Sequence, residues 1–448
     1  MKTPLKSVRV ILLVLGLALL ALAFVMSGCS KKKGFTSWKA VKSPDVATQL
    51  KSFVAQKEAQ VNSISGTSPS AFAAFFSAAK SGNWPAADKA FNELSKHVPE
   101  FQHSGTNDER LTGTRLAAML EIDGALAAFS HGDQKYPALY ASDIIESIPP
   151  GSIYFGGTDS GRFLVTAMQK SQVNGDPFFT LTQNALADGS YLDYLRTMYG
   201  NKIYIPTSED SQKCFDDYTA DAKVRLRNHQ LAQGENFSID ANGKAQISGV
   251  VAVMAINGLI AKVIFDKNPN QDFYMQQSFP LDWMYPYLEP HGPIFKLNHQ
   301  PLDELSDDIV QRDHDYWTKT ASPLIGDWLD DGTSVKDVAD FGKKVFLKHD
   351  YSGFTGATGY VQNAYANRSF AWDRANIALL YEWRMNRAGT ADEKARMARA
   401  ADFAFRQAVA LCPSVRKTDD DYADFLASQN RNDDAEAVRQ MARQSPNW

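Results

Sequence analysis

The stretch from Ile148 to Phe163 constrains the fold more than any other part of this sequence. A Pro-Pro-Gly turn at 149–151 leads into a short apolar run, Ile153–Phe155, which is followed by a glycine-rich polar loop at 156–161. Apolar residues return with helical spacing from Phe163 onward. A strand, a glycine loop and a helix in this order are typical of α/β proteins, which place binding sites at such loops. The stretch therefore predicts a strand whose carboxyl end carries a site.

A second strand is predicted at Phe178–Thr182, which is rich in β-forming residues. The helical pattern at 161–171 lies between the two strands, so we expect a parallel pair with a right-handed crossover. The carboxyl ends of parallel strands open on the same crevice, and polar residues follow both predicted strands. We expect these residues to form one site for a sugar or a peptide: Thr158, Asp159, Arg162, Gln183 and Asn184. The alternative is that Asp159 caps the following helix and pairs with Arg162.

The glycine loop does not match the motifs of nucleotide-binding or hydrolytic enzymes. Arg162 and Phe163 stand where a phosphate-binding loop requires Lys and then Ser or Thr. Ser160 directly precedes Gly161, so the loop is not a nucleophile elbow, and it lacks the G-x-G-x-x-G spacing of a dinucleotide site. We therefore predict no catalytic residue and no cofactor.

No metal site is predicted either. The sequence has no H-E-x-x-H zinc-binding motif and no cluster of Cys and His residues. The run Asp313-His314-Asp315 has suitable residue types, but adjacent residues on a helix point in different directions. Aromatic and acidic residues are dense at Asp282–Gly292, where a helix and turn packed on the sheet is the prediction and a sugar-stacking surface the alternative.

Turn and strand signals continue to residue 300. Alternating residues on both sides of Asn242-Gly243 predict a β-hairpin, and the apolar run Val250–Phe265 predicts a buried helix. Two further short strands are predicted at Asp272–Met275 and Ile294–Leu297. From Pro301 onward the pattern is helical.

Helical hairpins are predicted at both ends of the chain. Near the N-terminus a first helix is expected at Pro44–Asn62, a second from Ser68, and a third at Trp84–His97. Near the C-terminus, four residues are spaced at offsets of 0, 4, 7 and 12: Ala401, Phe405, Ala408 and Pro413. Ala435 follows Ala401 by 34 residues. The same offsets occur at Ala87, Phe91, Leu94 and Pro99. They resemble the tetratricopeptide repeat, and the alternative is a generic helical hairpin.

The N-terminal residues indicate export and lipid anchoring. Positive residues precede an uninterrupted apolar run, Val10–Met26, which ends at Ser27-Gly28-Cys29. This arrangement resembles a bacterial lipobox and implies removal of residues 1–28 and lipidation of Cys29; an uncleaved transmembrane anchor is the alternative. The residue after Cys29 is Ser30, whereas an aspartate at that position retains a lipoprotein in the inner membrane. The sequence therefore favours the outer membrane. Only Cys214 and Cys412 remain, and we expect two buried free thiols rather than a disulfide.

Two stretches resemble a known family. The motifs Ile148–Asp159 and Phe279–Lys296 are similar to the soluble region of large bacterial membrane proteins that look like lipid-sugar-dependent protein O-mannosyltransferases. Ser152 and Thr158 depart from the family pattern. The resemblance implies an extracytoplasmic α/β unit followed by tetratricopeptide-like helices. It does not carry over transferase activity, because such enzymes hold their catalytic acids in a multispanning domain and this chain has none.

These observations predict a mixed α and α/β protein with a small parallel or mixed sheet and flanking helical hairpins. The expected organisation is a signal peptide at 1–28, a tether and first helix at 29–67, N-terminal hairpins at 68–147, an α/β domain at 148–300 and a helical domain at 301–448. The net charge of −4 gives no basic excess for nucleic acid. The expected function is non-enzymatic binding of a protein partner by an envelope lipoprotein, and the alternative is a glycan-related binding or enzymatic module at the strand ends.

The anchoring prediction is tested at Cys29. Changing Cys29 to Ser should leave a full-length, unlipidated precursor, because the signal peptidase that cleaves before a lipidated cysteine then has no substrate. Mass spectrometry of the N-terminus measures both forms. An unmodified Met1 on the wild-type protein would contradict the prediction.

Overall fold

A computed structural model describes most of the chain after the N-terminal segment. The described residues are 45–64, 70–95, 107–157, 160–171, 175–240, 243, 245–276 and 283–445. The predictions for residues 1–28, Cys29, Thr158 and Asp159 lie outside these ranges.

Helices make up most of the described chain, and the predicted mixture of helices with a small sheet is confirmed. The α-helices are α1 (Val46–Ser63), α2 (Ser70–Lys80), α3 (Trp84–Ser95), α4 (Asn107–Ser130), α5 (Lys135–Ser147), α6 (Val165–Met168), α7 (Gly189–Tyr199), α8 (Ser208–Arg227), α9 (Val250–Lys267), α10 (Asp307–Ile325), α11 (Val335–Phe341), α12 (Thr358–Val361), α13 (Ala364–Met385), α14 (Ala391–Leu411), α15 (Arg416–Ser428) and α16 (Asn432–Ala442). The strands are β1 (Ile153–Gly156), β2 (Phe179–Thr182), β3 (Asn236–Ile239), β4 (Ala245–Ser248), β5 (Phe273–Met275), β6 (Leu288–His291) and β7 (Ile294–Leu297). Within the described ranges, no helix combines the length and apolar character needed to cross a membrane.

The described chain forms two compact units, each assembled from segments far apart in the sequence. Unit 1 contains Ala55–Leu120 and Gln183–Asn268. Unit 2 contains Ser43–Val54, Glu121–Thr182 and Pro269–Trp448.

Unit 2 holds a five-stranded mixed sheet in the order β2-β1-β5-β7-β6. The predicted parallel pairing of β1 with β2 is confirmed, with Ile153 opposite Phe179. Strand β5 pairs in parallel with the other side of β1, and β7 and β6 continue the sheet in antiparallel fashion. The chain thus passes from β1 to one side and later returns to the other. This reversal makes the boundary between β1 and β5 a topological switch point, where open α/β sheets bind their ligands at the carboxyl ends of the strands.

Two predictions in this unit were wrong in detail. The segment from Asp282 to Gly292 was expected to be a helix and turn, but its described part contains a 3₁₀ turn at Tyr285–Tyr287 and then the edge strand β6. Pro290 suppressed the strand signal, yet proline is compatible with an edge strand because that position needs no ladder donor. The helix expected at 161–171 is a π-helical turn, Ser160–Leu164, followed by the short α6.

Unit 1 contains the helical hairpin predicted near the N-terminus, the predicted β-hairpin and the predicted buried helix. Gly82 adopts a positive φ of 73° between α2 and α3, and Phe75 packs on Phe91 with ring centroids 6.2 Å apart. Strands β3 and β4 form the predicted antiparallel hairpin, with Gly243 at a φ of 75° in the turn. Helix α9 covers the predicted run from Val250.

Packing of α4 on the π-helical turn in unit 2 requires a glycine at position 124. A Cβ atom there would lie 2.3 Å from the ring of Phe163, which is 7% exposed. Gly124→Ala should therefore destabilise the protein by about 1–2 kcal/mol, because the overpacking outweighs the usual gain of about 1 kcal/mol for removing a helical glycine. Urea unfolding measures the change.

Gly389→Ala is the matched control for Gly124→Ala. A Cβ atom at Gly389 would meet no described atom within 4 Å. Its unfolding free energy should stay within about 0.5 kcal/mol of wild type. Equal effects of the two substitutions would show that the packing described for Phe163 is wrong.

Candidate functional site

The glycine loop at the carboxyl end of β1 brings backbone segments into close contact. A Cβ atom at Gly156 would lie 3.1 Å from the carbonyl oxygen of Gly161. A Cβ atom at Gly161 would lie only 1.7 Å from Oε1 of Gln276. Neither glycine has a left-handed backbone. Their role is thus to let neighbouring groups approach rather than to supply a positive φ.

Gln276 connects the loop to the next strand of the switch point. It directly follows β5, and its backbone N–H donates to the carbonyl of Phe155 in β1 at 2.9 Å. Its side chain is 2% exposed and donates through Nε2 to Oδ1 of Asp373 at 2.8 Å and to the hydroxyl of Tyr140. The two strand ends are thereby tied to helices α13 and α5.

Asp373 is the centre of this arrangement, which we call the Asp373 cluster: Tyr140, Tyr154, Gly161, Gln276 and Asp373. The Tyr140 hydroxyl donates to Oδ2 of Asp373 at 2.7 Å. The Tyr154 hydroxyl donates to the carbonyl of Gly161 at 3.1 Å. Tyr140 and Tyr154 are fully buried, and Asp373 is 2% exposed.

Burial decides the charge state of the cluster. It raises the pKa of Asp373 to about 8, and the hydrogen bonds from Tyr140 and Gln276 oppose this rise without cancelling it. Burial also raises the pKa of Tyr140 and of Tyr154 well above the usual range for tyrosine. Among the described residues, no basic side chain forms a hydrogen bond or ion pair with Asp373. The cluster is therefore neutral at pH 7.

The geometry of the cluster suits positioning more than chemistry. Both carboxyl oxygens of Asp373 already take part in hydrogen bonds, with Tyr140 and with Gln276, and the Gln276 amide contacts Gly161. A buried network of hydrogen bonds favours one arrangement of the groups that it joins. The cluster thus holds Gly161 next to the ends of β1 and β5.

The residues predicted for the site are distributed over both units. Arg162 belongs to unit 2, is 8% exposed, and places its guanidinium carbon 4.7 Å from the ring centroid of Phe163. Gln183 and Asn184 belong to unit 1. Gln183 is fully buried, and the Asn184 carbonyl accepts a hydrogen bond from Asn257 at 3.0 Å. Convergence of the five residues on one crevice stays a prediction.

Sequence reasoning missed the residues that the structure gathers at the switch point. Gln276 could have been found, because it follows a predicted strand in the way that Gln183 follows β2. Tyr140 and Asp373 lie inside helices, 233 residues apart, and no local pattern links them. Only the tertiary packing brings them together.

Two further groups of reactive residues are structural. Asp313 is buried and accepts hydrogen bonds at Oδ2 from Arg374 at 2.7 Å and from Tyr381 at 2.8 Å, while its neighbour His314 stacks on Phe403. In the described ranges, no three His, Cys, Asp or Glu residues are grouped as a metal site requires. The two described cysteines are free and buried, as expected: Cys214 and Cys412.

Comparison with known proteins gave no match. No protein-family model, no curated protein and no solved structure matches this chain. The resemblance to O-mannosyltransferase-like proteins therefore stays a prediction from the sequence motifs.

The neutral Asp373 makes stability depend on pH. Its pKa is about 8 in the folded protein and about 3.9 in an unfolded chain. The stability contributed by the protonated form is fully present below pH 4 and is lost as the pH rises through about 8. Asp373→Asn cannot ionise, so the melting temperature of the variant relative to wild type should rise steadily between pH 5 and pH 8.5.

Differential scanning calorimetry at several pH values measures this difference. Asp143 and Asp419, whose pKa values burial raises to about 7 and about 9, are present in both proteins and drop out of the comparison. The exposed Asp303→Asn is the matched control and should show no such trend. A constant difference between Asp373→Asn and wild type across the range would contradict the assignment.

Proposed function

We propose that this chain is a non-enzymatic, lipid-anchored protein of the cell envelope that binds a protein partner through its C-terminal helices. The lipobox at Cys29 supports anchoring on the periplasmic side, and the residue after it favours the outer membrane. The sequence lacks a complete catalytic motif, which supports a binding role. The resemblance to the soluble region of O-mannosyltransferase-like proteins supports an extracytoplasmic α/β and repeat module.

The observation that carries the proposal is the packing of α15 and α16. These helices have 13 and 11 residues and fit within one 34-residue helical unit. On α15, Tyr422, Ala423 and Leu426 have the spacing of apolar positions in the first helix of a tetratricopeptide repeat, and all three are fully buried. Ala435, the expected small residue of the second helix, is also fully buried. The preceding pair, α13 and α14, has 22 and 21 residues and is longer than such a unit.

A partner on these helices would be recognised mainly by polar contacts. The outer surface of α15 and α16 carries both signs of charge, with Lys417 paired to Asp421 and Arg443 to Glu436. Among the described residues, the large hydrophobic side chains that are strongly exposed all lie in unit 1: Val224, Ile239 and Val250. Charged interfaces steer association and weaken as salt screens them.

Site-specific photo-crosslinking in living cells tests this proposal. A benzophenone amino acid at Asp424 or Gln440, exposed on α15 and α16, should give a discrete adduct with one envelope protein. The same substitution at Asp216, exposed on α8, should not. Binding of the purified pair should weaken when the salt concentration rises from 0.05 to 0.5 M. Equal labelling at all three positions, or no adduct at any, would refute binding through the C-terminal helices.

A second candidate function is binding of a polar ligand such as a glycan at the carboxyl ends of β1 and β5. The switch point between these strands favours it, because open α/β sheets bind ligands at that place. The two candidates are compatible, since they use different surfaces of unit 2.

A further inference from the structure

We infer, independently of the proposed function, that helix α5 is a proton-controlled element, which is held in place at acidic pH and opens locally at alkaline pH. Four side chains on three helices form the device, which we call the acid–tyrosine set: Tyr140 and Asp143 on α5, Tyr316 on α10 and Asp373 on α13. Protonated carboxyl groups keep the set closed, and their ionisation releases α5.

Helical spacing places the two members on α5 along one face. Tyr140 and Asp143 are three residues apart, which makes them neighbours on the helix surface. A hydrogen bond of 2.7 Å joins the Tyr140 hydroxyl to Oδ2 of Asp373, and a longer one of 3.4 Å joins the Tyr316 hydroxyl to Oδ2 of Asp143. Each contact pairs one tyrosine with one carboxyl group. The same face of α5 is thus bonded to α13 and to α10.

Tyr316 connects the two contacts electrostatically. Burial raises the pKa of Tyr316 well above the usual range for tyrosine, and the charges of Asp143 and Asp373 both raise it further. The two carboxyl groups therefore act on one hydroxyl group. The four side chains thus form one set rather than two separate hydrogen bonds.

Asp143 has little charge compensation for its ionised form. Its side chain is partly exposed, and among the described residues the charged groups that face it are Glu146 on α5 and Lys319 on α10. Burial raises the pKa of Asp143 to about 7, the charge of Glu146 raises it as well, and Lys319 and the Tyr316 hydroxyl lower it. The single lysine does not offset the cost of burial.

The other elements packed on α5 supply no base for Asp373. They are α6, α13 and the π-helical turn. Arg162 of the turn stacks on the adjacent phenylalanine ring, and Arg374 of α13 is paired with Asp313. At the end of α5, His291 of β6 lies 2.8 Å from a backbone carbonyl oxygen. Asp373 is therefore surrounded by hydroxyl and amide groups, and burial raises its pKa to about 8.

These values determine the direction of the response. An aspartate in water ionises near pH 3.9, so both carboxyl groups ionise more readily once α5 has opened. The closed form has its full stability below about pH 4 and loses it as the pH rises through about 7 and about 8. Between pH 6.0 and pH 8.5, Asp143 should favour opening about tenfold and Asp373 by a further factor of about 80.

Native-state hydrogen exchange, followed by mass spectrometry on the full-length lipoprotein in detergent, tests the inference. Exchange is measured at pH 6.0 and pH 8.5 in a series of low urea concentrations and corrected for the intrinsic rates. Protection of the α5 amides in the wild type should fall at least about tenfold between the two pH values. At pH 8.5, α5 should exchange faster than α14 and with a weaker dependence on urea, which marks local opening.

Two isosteric substitutions that cannot ionise identify the controlling groups. Asp143→Asn should remove about a tenfold part of the fall, and the double variant with Asp373→Asn should show constant protection of α5. The exposed Asp303→Asn is the control and should keep the fall of the wild type. Circular dichroism at pH 6.0 checks that each variant is folded.

Three results would overturn the inference. Constant protection of α5 in the wild type would show that its position does not depend on protons. Equal protection and equal urea dependence of α5 and α14 at pH 8.5 would show that α5 opens only when the whole unit unfolds. A fall of wild-type size in the double variant would assign the control to other groups.

Discussion

The hydrogen bonds of Asp373 with Tyr140 and Gln276 join three parts of the sheet-bearing unit that are distant in the sequence. Tyr140 belongs to α5, Asp373 to α13, and Gln276 ends the strand β5. Moving a carboxyl group out of water without a basic partner is expensive when it is ionised, so the group keeps its proton. A neutral acid can then be enclosed with two tyrosines and an amide, and this enclosed set contacts the backbone at Gly161.

Helix α13 forms buried polar contacts on more than one side. Asp373 faces the strand ends, whereas the next residue, Arg374, forms a buried ion pair with Asp313 of α10 and a hydrogen bond with Gln407 of α14. Such a pair contributes little net stability, but losing one partner would leave an uncompensated buried charge. The helix is therefore held in one position by polar groups on two sides.

The parts of the fold that local patterns determine were predictable from the sequence. Strands β1 and β2, the β-hairpin at Gly243 and the helix from Val250 have strong local signals, and the structure contains all of them. The edge strand β6 was missed because Pro290 is a breaker in most contexts. The pairing of β5 with β1, and hence the switch point, depends on a strand far along the chain. Arg162 could be identified because it belongs to a local sequence motif. Tyr140 and Asp373 could not, because only the tertiary structure brings them together.

The charge of Asp373 is the quantity on which this account depends most. Infrared difference spectra of wild type and Asp373→Asn isolate the carbonyl stretch of a protonated carboxyl group at that position, since all other carboxyl groups cancel. The account predicts a protonated-carboxyl band in the wild type at pH 6.5, which disappears on titration with a midpoint at about pH 8. A carboxylate signal already complete at pH 6.5 would contradict it, because the cluster would then hold an ionised group and the loop would be fixed by charge rather than by a neutral network.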